Sequence, residues 1–290
     1  MTGADYSRVG DFSLVWGESL RWDDSRERLY FVDCAEQTLH WLESQQSDLN
    51  TMKLPGLPTG VVLTEGPEIV ICLDDGLRLV DPDAQTTELL AAYPDGMHGR
   101  ANDAAADGHG NLVTGTLNRA PGPGAYWWYS VNEGWRLLDE GIGNANGPVV
   151  LNMAGEETLV FADTLAGKVY AYPYQAELGE VGDRRVLFDH AELGGLPDGA
   201  TADSDGGVWT CVLQAGKLAR LTVHGLDHVI GLPAPNPSDI TFGGPARDRL
   251  FVTSIAVDLG AGPPPEEASW LISIAASGVS GAPEARMSLP

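Results

Sequence analysis

Four segments of this sequence carry polar side chains suited to bind one ligand together. Each segment places a carboxylate or an amide a short distance before a turn rich in Asp, Gly or Asn: Glu18, Asn102, Asp103, Asn146 and Asp198. These are hard oxygen donors without Cys or His, a set that suits Ca²⁺, Mg²⁺ or Mn²⁺. Counting back the same distance from each turn reaches them, so we expect them at one repeated position of the fold, around one divalent cation.

Each of these residues also has a simpler interpretation. Glu18 before a strand is typical of a surface carboxylate, while Asn146 and Asp198, each followed by glycine, are typical of turns. Asn144 lies two residues from Asn146 and is an alternative amide donor. The agreement of the segments favours the shared metal site over the separate interpretations.

The segment 195–209, GLPDGATADSDGGVW, contains two Asp-Gly pairs. Asp205 and Gly206 in DSDGG are typical of a hairpin turn in which glycine supplies a positive φ. Asp198 lies about one strand length earlier, and a strand runs from one edge of its sheet to the other. We therefore expect Asp198 at the end of the strand opposite the turn, facing a site.

Short strands must position these side chains. Runs of Val, Leu, Tyr, Trp and Thr between Asp, Gly and Asn turns indicate an all-β protein. A turn, an apolar residue and an alternating strand recur every 40 to 50 residues or so, the length of a four-stranded propeller blade. The equivalent apolar residues are Leu29, Ile69, Leu112, Leu159, Val208 and Leu250. The sequence therefore predicts a six-bladed β-propeller around a central channel, as a single domain over residues 1–290. We expect residues 12–19 (FSLVWGES) to complete the last blade; a β-sandwich or a two-domain β protein is the alternative.

Composition limits the classes of partner. The 290 residues carry a net charge of −24, with lysine at Lys53, Lys168 and Lys217 alone. Such a surface disfavours nucleic acid and anionic membranes. No run of about 18 apolar residues occurs, and no secretory signal is visible, so we expect a cytoplasmic protein without a membrane helix. A monomer or a weak homodimer is the expected state.

The three cysteines fit neither a metal pattern nor a disulfide framework. Cys34, Cys72 and Cys211 are widely spaced and odd in number. Free cysteine is among the most buried residue types, so we expect all three to be reduced and buried.

Five ordered segments resemble motifs of the SMP-30/gluconolactonase/luciferin-regenerating enzyme family, and the resemblance runs over nearly the whole chain. They are GESLRWDDSRERLYFVDC (17–34), GRANDAAADGHGNLVTGTL (99–117), NGPVVLNMAGEETLVFADT (146–164), LPDGATADSDGGVWTC (196–211) and ITFGGPARDRLFVTS (240–254). The resemblance implies a six-bladed propeller with a divalent metal in its channel. Calcium is the first expectation for the ion, with Zn, Mn, Mg or Fe(II) as alternatives.

The resemblance also implies roles for single residues. The metal ligands would be Glu18, Asn146 and Asp198, and Asp198 would also be the catalytic acid/base. Arg100 and Asn102 match positions that contact substrate, while Asp103 would support its loop. Some family members carry an acidic substrate-contacting residue just after the Gly-Thr pair of blade three; this chain has Asn118, Arg119 and Ala120 there. The substrate pocket is therefore expected to differ.

The function that follows is a metal-dependent lactonase acting on a sugar lactone. The cation would polarise the lactone carbonyl, and Asp198 would accept a proton from the attacking water. Arg100 and Asn102 would hold substrate hydroxyls. A propeller that holds a metal without catalysis, and an esterase or phosphotriesterase using the same site, are the alternatives. Ser-His-Asp catalysis is not supported because no G-x-S-x-G segment occurs.

Overall fold

A computed structural model describes residues 5–44, 48–117, 124–260, 262–276 and 278–290. Within these residues the chain forms 25 strands and two short 3-10 helices, His190–Leu193 and Glu266–Ser269. The strands form six antiparallel sheets that follow one another along the chain. The prediction of an all-β six-bladed propeller is therefore confirmed.

The first strand, β1 (Tyr6–Arg8), belongs to the last blade. Blade one contains β2 (Gly17–Asp23), β3 (Arg28–Asp33), β4 (Thr38–Glu43) and β5 (Asn50–Lys53). Blade two contains β6 (Gly60–Leu63), β7 (Ile69–Leu73), β8 (Gly76–Asp81) and β9 (Thr86–Ala92). Blade three contains β10 (Arg100–Ala106), β11 (Leu112–Leu117), β12 (Gly124–Ser130) and β13 (Gly134–Ile142).

Blade four contains β14 (Ala145–Met153), β15 (Glu156–Asp163), β16 (Lys168–Gln175), the two-residue β17 (Glu180–Val181) and β18 (Arg185–Asp189). Blade five contains β19 (Leu196–Ala202), β20 (Val208–Leu213), β21 (Lys217–Thr222) and β22 (Gly225–Gly231). Blade six contains β23 (Pro237–Gly243), β24 (Arg249–Ser254), β25 (Ile272–Ala275) and β1.

The repeated apolar residues mark the second strand of each blade. Leu29, Ile69 and Leu112 lie in β3, β7 and β11, and all three are buried. The equivalents of the other three blades, Leu159 and Leu250 among them, lie in β15, β20 and β24 and are also buried. A blade cannot cover both of its faces alone, so these residues pack between neighbouring blades and join the repeats into a ring.

Blade six is completed by an earlier segment than the sequence suggested. β1 pairs with β25, with Tyr6 opposite Ile274, so the closing strand is 6–8 and not 12–19. The last three residues of 12–19 instead begin β2, the inner strand of blade one. The apolar Leu20 and Trp22 are buried there, which draws that strand to the channel and leaves β1 for the outer edge.

The inner strands β2, β6, β10, β14, β19 and β23 each contact the inner strands of both neighbouring blades, and so enclose the channel. In five of these six described strands the register shifts by one residue partway along: after Glu18, Ala101, Asn146, Pro197 and Pro237. Two residues then lie opposite one on the next strand, which is a β-bulge. β6 has no such shift, and all four of its residues pair with β7 in regular register.

Several hydrogen bonds between blades lie at these bulges. Three connect a bulge or its flank to the adjacent inner strand: Ser238 Oγ to Gly17 O at 2.6 Å, Val61 N to Ser19 Oγ at 2.6 Å, and Asn102 Nδ2 to Ala145 O at 2.9 Å. A fourth runs from Thr164 Oγ1, in the loop after β15, to Pro197 O at 2.8 Å. The bulged layer therefore joins the blades as well as bending their strands.

The hairpins that join the first and second strands of the blades lie at the end of the channel opposite the bulges. Residues 278–290 cross this end. The N–H groups of Ala282, Met287 and Ser288 donate to backbone carbonyls of blades five, two and three, at 3.1, 2.8 and 2.9 Å. Arg286 bonds to Asp23 of blade one at 2.6 Å. This segment, which we call the tail strap, covers that end of the channel.

Two further sequence expectations concern cysteine and membranes. Cys34, Cys72 and Cys211 are all buried and unbonded to one another, so the prediction for them is confirmed. No helix in the described part of the chain combines the length and the apolar surface needed to cross a membrane.

We expect Gly115→Ala to destabilise the fold by about 1–3 kcal/mol, because overpacking costs that much. Gly115 lies opposite the β10 bulge, and an added Cβ would lie 2.0 Å from the Cβ of Ala145 in blade four. The control is Gly231→Ala, where no atom lies within 4 Å of the added carbon. Urea denaturation measures both; equal midpoints for Gly115→Ala and the wild type would contradict close packing at the bulge.

Candidate active site

Asp198 lies in an inner strand and not in a turn. It is the third residue of β19 and is 4% exposed, whereas residues 203–207 form the hairpin at the other end of that strand. Gly206 in this hairpin has a φ of 80°, the left-handed conformation expected for the Asp205–Gly206 turn. The two Asp-Gly pairs thus occupy opposite ends of the channel.

The predicted site residues do not share one repeated position, and that expectation is wrong by one residue. Glu18 and Asn146 are the last paired residues before their bulges, opposite Val32 and Ala162. Asn102 and Asp198 are instead the first unpaired residues within theirs. A bulge interrupts the alternation of side chains between the two faces, so positions offset by one can still face the same channel.

Hydrogen bonds join two of the predicted residues directly. The Nδ2 group of Asn102 donates to Asn146 Oδ1 and, at 2.9 Å, to Ala145 O. Asn146 Nδ2 in turn donates to Thr164 Oγ1 at 2.8 Å. These bonds fix both amides and direct the oxygen of Asn146 toward Asn102.

Asn144 lies just before β14, where its backbone N–H donates to Asp163 at 3.1 Å. Its side-chain oxygen is buried and has no hydrogen-bond partner in the described chain. Asn144 therefore remains an alternative amide donor, although it lacks the bond to Asn102 that places Asn146.

Asp198 is buried and Glu18 is half-buried, and few hydrogen-bond donors compensate the charge of either carboxylate. Glu18 accepts one bond, from Trp16 Nε1 at 3.0 Å. Burial raises the pKa of Glu18 to about 8, and the charge of Asp103 acts in the same direction. Burial, together with the charges of Glu18 and Asp239, holds the pKa of Asp198 well above its usual range. No donor among the described residues bonds to the Asp198 carboxylate. A bound cation would therefore supply the positive charge that this carboxylate lacks nearby.

Arg100 begins β10 and is half-buried. Its Nη1 donates to Ala101 O at 3.2 Å, and its charge lowers the pKa of Glu18. The guanidinium is therefore near enough to Glu18 for its charge to act on that carboxylate. Asn118, Arg119 and Ala120, where the sequence departs from the family motif, lie outside the described residues.

Asp103 supports two bulges at once. Its carboxylate accepts from Ala104 N at 2.7 Å and from Gly147 N at 2.9 Å, so it joins blade three to blade four. Sequence reasoning assigned Asp103 to its own loop but missed this second contact. It also missed Arg21 and Asp239, which lie beside it; the available signal was a charged residue, Arg21, between Leu20 and Trp22 in a strand that must be buried.

No cluster of three or more His, Cys, Asp and Glu side chains with the geometry of a metal site occurs among the described residues. The predicted ligands are different in kind, because they combine two carboxylates with amide oxygen. The assignment of Glu18, Asn146 and Asp198 as ligands therefore stays a prediction.

The fold and the site together define a class: six-bladed propellers that bring carboxylates and amides from several blades to one end of the channel. Residues 16–256 match the SMP-30/Gluconolactonase/LRE-like region, and the chain belongs to this family.

Relatives align with most of the chain. Pentonolactonase XacC of Haloferax volcanii is 28% identical over 255 residues, which cover 87% of this chain and 86% of its own. The 6-deoxy-6-sulfogluconolactonase of Pseudomonas putida is 30% identical over 272 residues, which cover 89% of each chain. The structure of regucalcin from Agrobacterium tumefaciens, described as a calcium-binding protein, superposes with a TM-score of 0.87 at 23% identity, covering 98% of this chain and 97% of its own. That likeness supports the fold.

We expect the free energy of unfolding of the metal-free protein to fall as pH rises from 5 to 8. The pKa of Glu18 in the folded protein, about 8, exceeds the ordinary glutamate value of 4.5, so the contribution of Glu18 to stability is present below pH 4.5 and is lost as pH rises toward 8. The loss should be on the order of a few kcal/mol. Urea denaturation in EDTA should show a shallower pH dependence for Glu18→Gln, while the exposed Glu65→Gln should follow the wild type. Parallel profiles for all three proteins would contradict the raised pKa of Glu18.

Proposed function

We propose that this protein is a divalent-metal-dependent hydrolase that opens a sugar lactone to the hydroxy acid. The observation that carries the proposal is a pair of carboxylates with few hydrogen-bond donors, the half-buried Glu18 and the buried Asp198, at the channel end that also holds the Asn102–Asn146 amide pair. Relatives named as lactonases, aligned over most of both chains, support a lactone as the substrate class.

The donors fit a hard divalent cation, which Glu18, Asn146 and Asp198 would hold. Carboxylate and amide oxygens suit Ca²⁺ first, with Mn²⁺, Mg²⁺, Zn²⁺ or Fe(II) as alternatives. When bound, the ion would supply Lewis-acid polarisation of the lactone carbonyl and would acidify a water molecule. The donor chemistry carries this part of the proposal, and not the calcium-binding description of the Agrobacterium protein.

Asp198 would accept the proton of the attacking water. Its carboxylate is buried and receives no donor from the described residues, so an oxygen lone pair would be available for that proton. The water oxygen would bond to the carbonyl carbon as Asp198 takes the proton. The bond from that carbon to the ring oxygen would then break, and Asp198 would return the proton to the ring oxygen, which becomes the hydroxyl of the product.

Asn102 and Arg100 would orient the substrate. Both N–H bonds of Asn102 are directed at Ala145 O and Asn146 Oδ1, so its own Oδ1 is the atom left for a ligand. An acceptor of this kind selects a substrate hydroxyl that donates. The Arg100 guanidinium would bind substrate oxygens as a donor. The pair therefore favours polyhydroxylated lactones over unsubstituted ones.

The alternatives share the same site. An esterase or a phosphotriesterase would use the same polarised oxygen, and a binding module would hold the ion without turnover. A pH-indicator screen distinguishes them when aldonolactones, an unsubstituted lactone, an aryl ester and a phosphotriester are tested with EDTA and with each ion. Turnover of the ester alone, or of no substrate with ion bound, would replace the lactonase proposal.

The same proposal includes a cytoplasmic monomer or weak homodimer that acts on a small molecule. The net charge of −24 supports the exclusion of nucleic acid and anionic membranes as partners. Light scattering after size-exclusion chromatography measures the oligomeric state.

We expect Asp198→Asn to reduce kcat for lactone hydrolysis by at least about 100-fold, because loss of a general base typically costs that much. The variant should remain folded, since amide and carboxylate have the same shape. Asp205→Asn, in the hairpin at the opposite end of β19, is the matched control and should keep nearly full activity. Wild-type kcat in Asp198→Asn would show that another group takes the proton.

We expect a suitable divalent ion to raise the melting temperature of the metal-free protein and EDTA to lower it again. Binding to the native state alone contributes about 2.7 kcal/mol at a hundredfold excess over Kd. Glu18→Gln should lose most of this shift, because it removes one of two anionic donors, while Glu65→Gln should retain it. A melting temperature that no ion changes would argue against the metal site.

A further inference from the structure

Arg21 lies buried directly beneath the candidate site, with 5% of its surface exposed. Its guanidinium donates to the carbonyls of Leu20 and Ala104, each at 2.6 Å, and so joins blade one to blade three. The same guanidinium lies 3.5 Å from Asp103 and 3.6 Å from Asp239. One cation thus bridges two carboxylates and two backbone carbonyls inside the channel.

Asp239 connects two bulges that carry predicted ligands. Its Oδ2 accepts the N–H of Leu20, in the bulge after Glu18, at 2.6 Å. Its Oδ1 packs against Gly199, the residue after Asp198, so closely that a Cβ at position 199 would lie 2.0 Å away. Asp239 therefore sets the spacing between the bulge of blade one and that of blade five.

Asp103 holds the bulge that carries the third predicted ligand, Asn146. It accepts the N–H of Gly147, the residue after Asn146, at 2.9 Å. A Cβ on Gly147 would in turn lie 2.8 Å from the carbonyl oxygen of Asp198, so blades four and five also touch here. Each predicted ligand is thus within two residues of an atom that contacts Asp103 or Asp239.

We propose that Arg21 is a positioning residue: by bridging Asp103 and Asp239 it fixes the bulges that present Glu18, Asn146 and Asp198, and so sets the geometry of cation binding. The part that concerns the cation rests on the proposed function. The part that concerns the bulges is a property of the metal-free protein and is measured separately.

A purely stabilising role would have a different signature. Removing one partner of a buried ion pair leaves an uncompensated charge and lowers stability wherever the pair lies. Arg220 and Asp203 provide the control, because their Nε and Oδ2 atoms are 2.6 Å apart at the hairpin end of blade five, away from the bulges. Arg220→Met and Arg21→Met should both lower the melting temperature.

Calcium titration by calorimetry, on metal-free variants at a temperature where all are folded, is the first measurement. Arg21→Met should weaken calcium binding about 10- to 100-fold, the usual effect of losing a residue that orients metal ligands. Arg220→Met should change the calcium affinity by no more than about twofold, because Arg220 has no part in orienting the predicted ligands. The double variant Arg21→Met/Asp239→Asn removes one stranded charge, so its melting temperature should partly recover while its calcium affinity stays low. Recovery of affinity together with stability would overturn the proposal.

Amide hydrogen exchange of the metal-free proteins is the second measurement. Arg21→Met should speed exchange in peptides spanning 17–22 and 145–150, which contain the amides of Leu20 and Gly147, whereas Arg220→Met should not. If the wild type binds no divalent ion, the proposed function fails and exchange alone decides the role of Arg21. Unchanged exchange in both peptides would overturn the positioning role proposed for Arg21.

Discussion

One extra residue in an inner strand leaves peptide groups without partners in their own blade, and in this protein those groups bond with the next blade. Leu20 N–H reaches Asp239 across the junction of blades one and six, and Gly147 N–H reaches Asp103 across that of blades three and four. The ring is joined at the same level at which the polar side chains enter the channel. Distortion of that layer would therefore disturb both the closure of the propeller and the site.

The bulged layer brings four carboxyl groups together, three of them buried and one, Glu18, half-buried. Glu18, Asp103, Asp198 and Asp239 all have raised pKa values, chiefly because of burial. Arg21 compensates part of this charge beneath the site, and the half-buried Arg100 lowers the pKa of Glu18 at the other side of the layer. Under the proposed function, a bound divalent ion would offset the remaining repulsion between the carboxylates, and this would contribute to its affinity.

The repeat could be predicted from the sequence because burial between blades requires an apolar residue at the same point in the second strand of each blade, as Leu29 and Leu250 show. The bulges could not be predicted from the sequence, because one inserted residue changes the register of a strand without changing its composition. For this reason Glu18 and Asp198 were expected at equivalent positions. The contact of Arg21 with Asp239 joins residues 218 positions apart, and no local pattern reports such a pair. The motifs predicted the candidate site residues, whereas the contacts beneath them arise only when distant strands come together in the fold.

The pairing of β1 with β25 has a consequence for how the protein is made. A strand near residue 7 waits for a partner near residue 273, so the ring stays open on the ribosome until almost the whole chain has emerged. Contacts this distant form slowly, and an unpaired sheet edge exposed meanwhile invites pairing with another chain. A nascent chain that stalls before β25 would present five finished blades and an open sixth, and its exposed sheet edge would make it a target for chaperones and proteases.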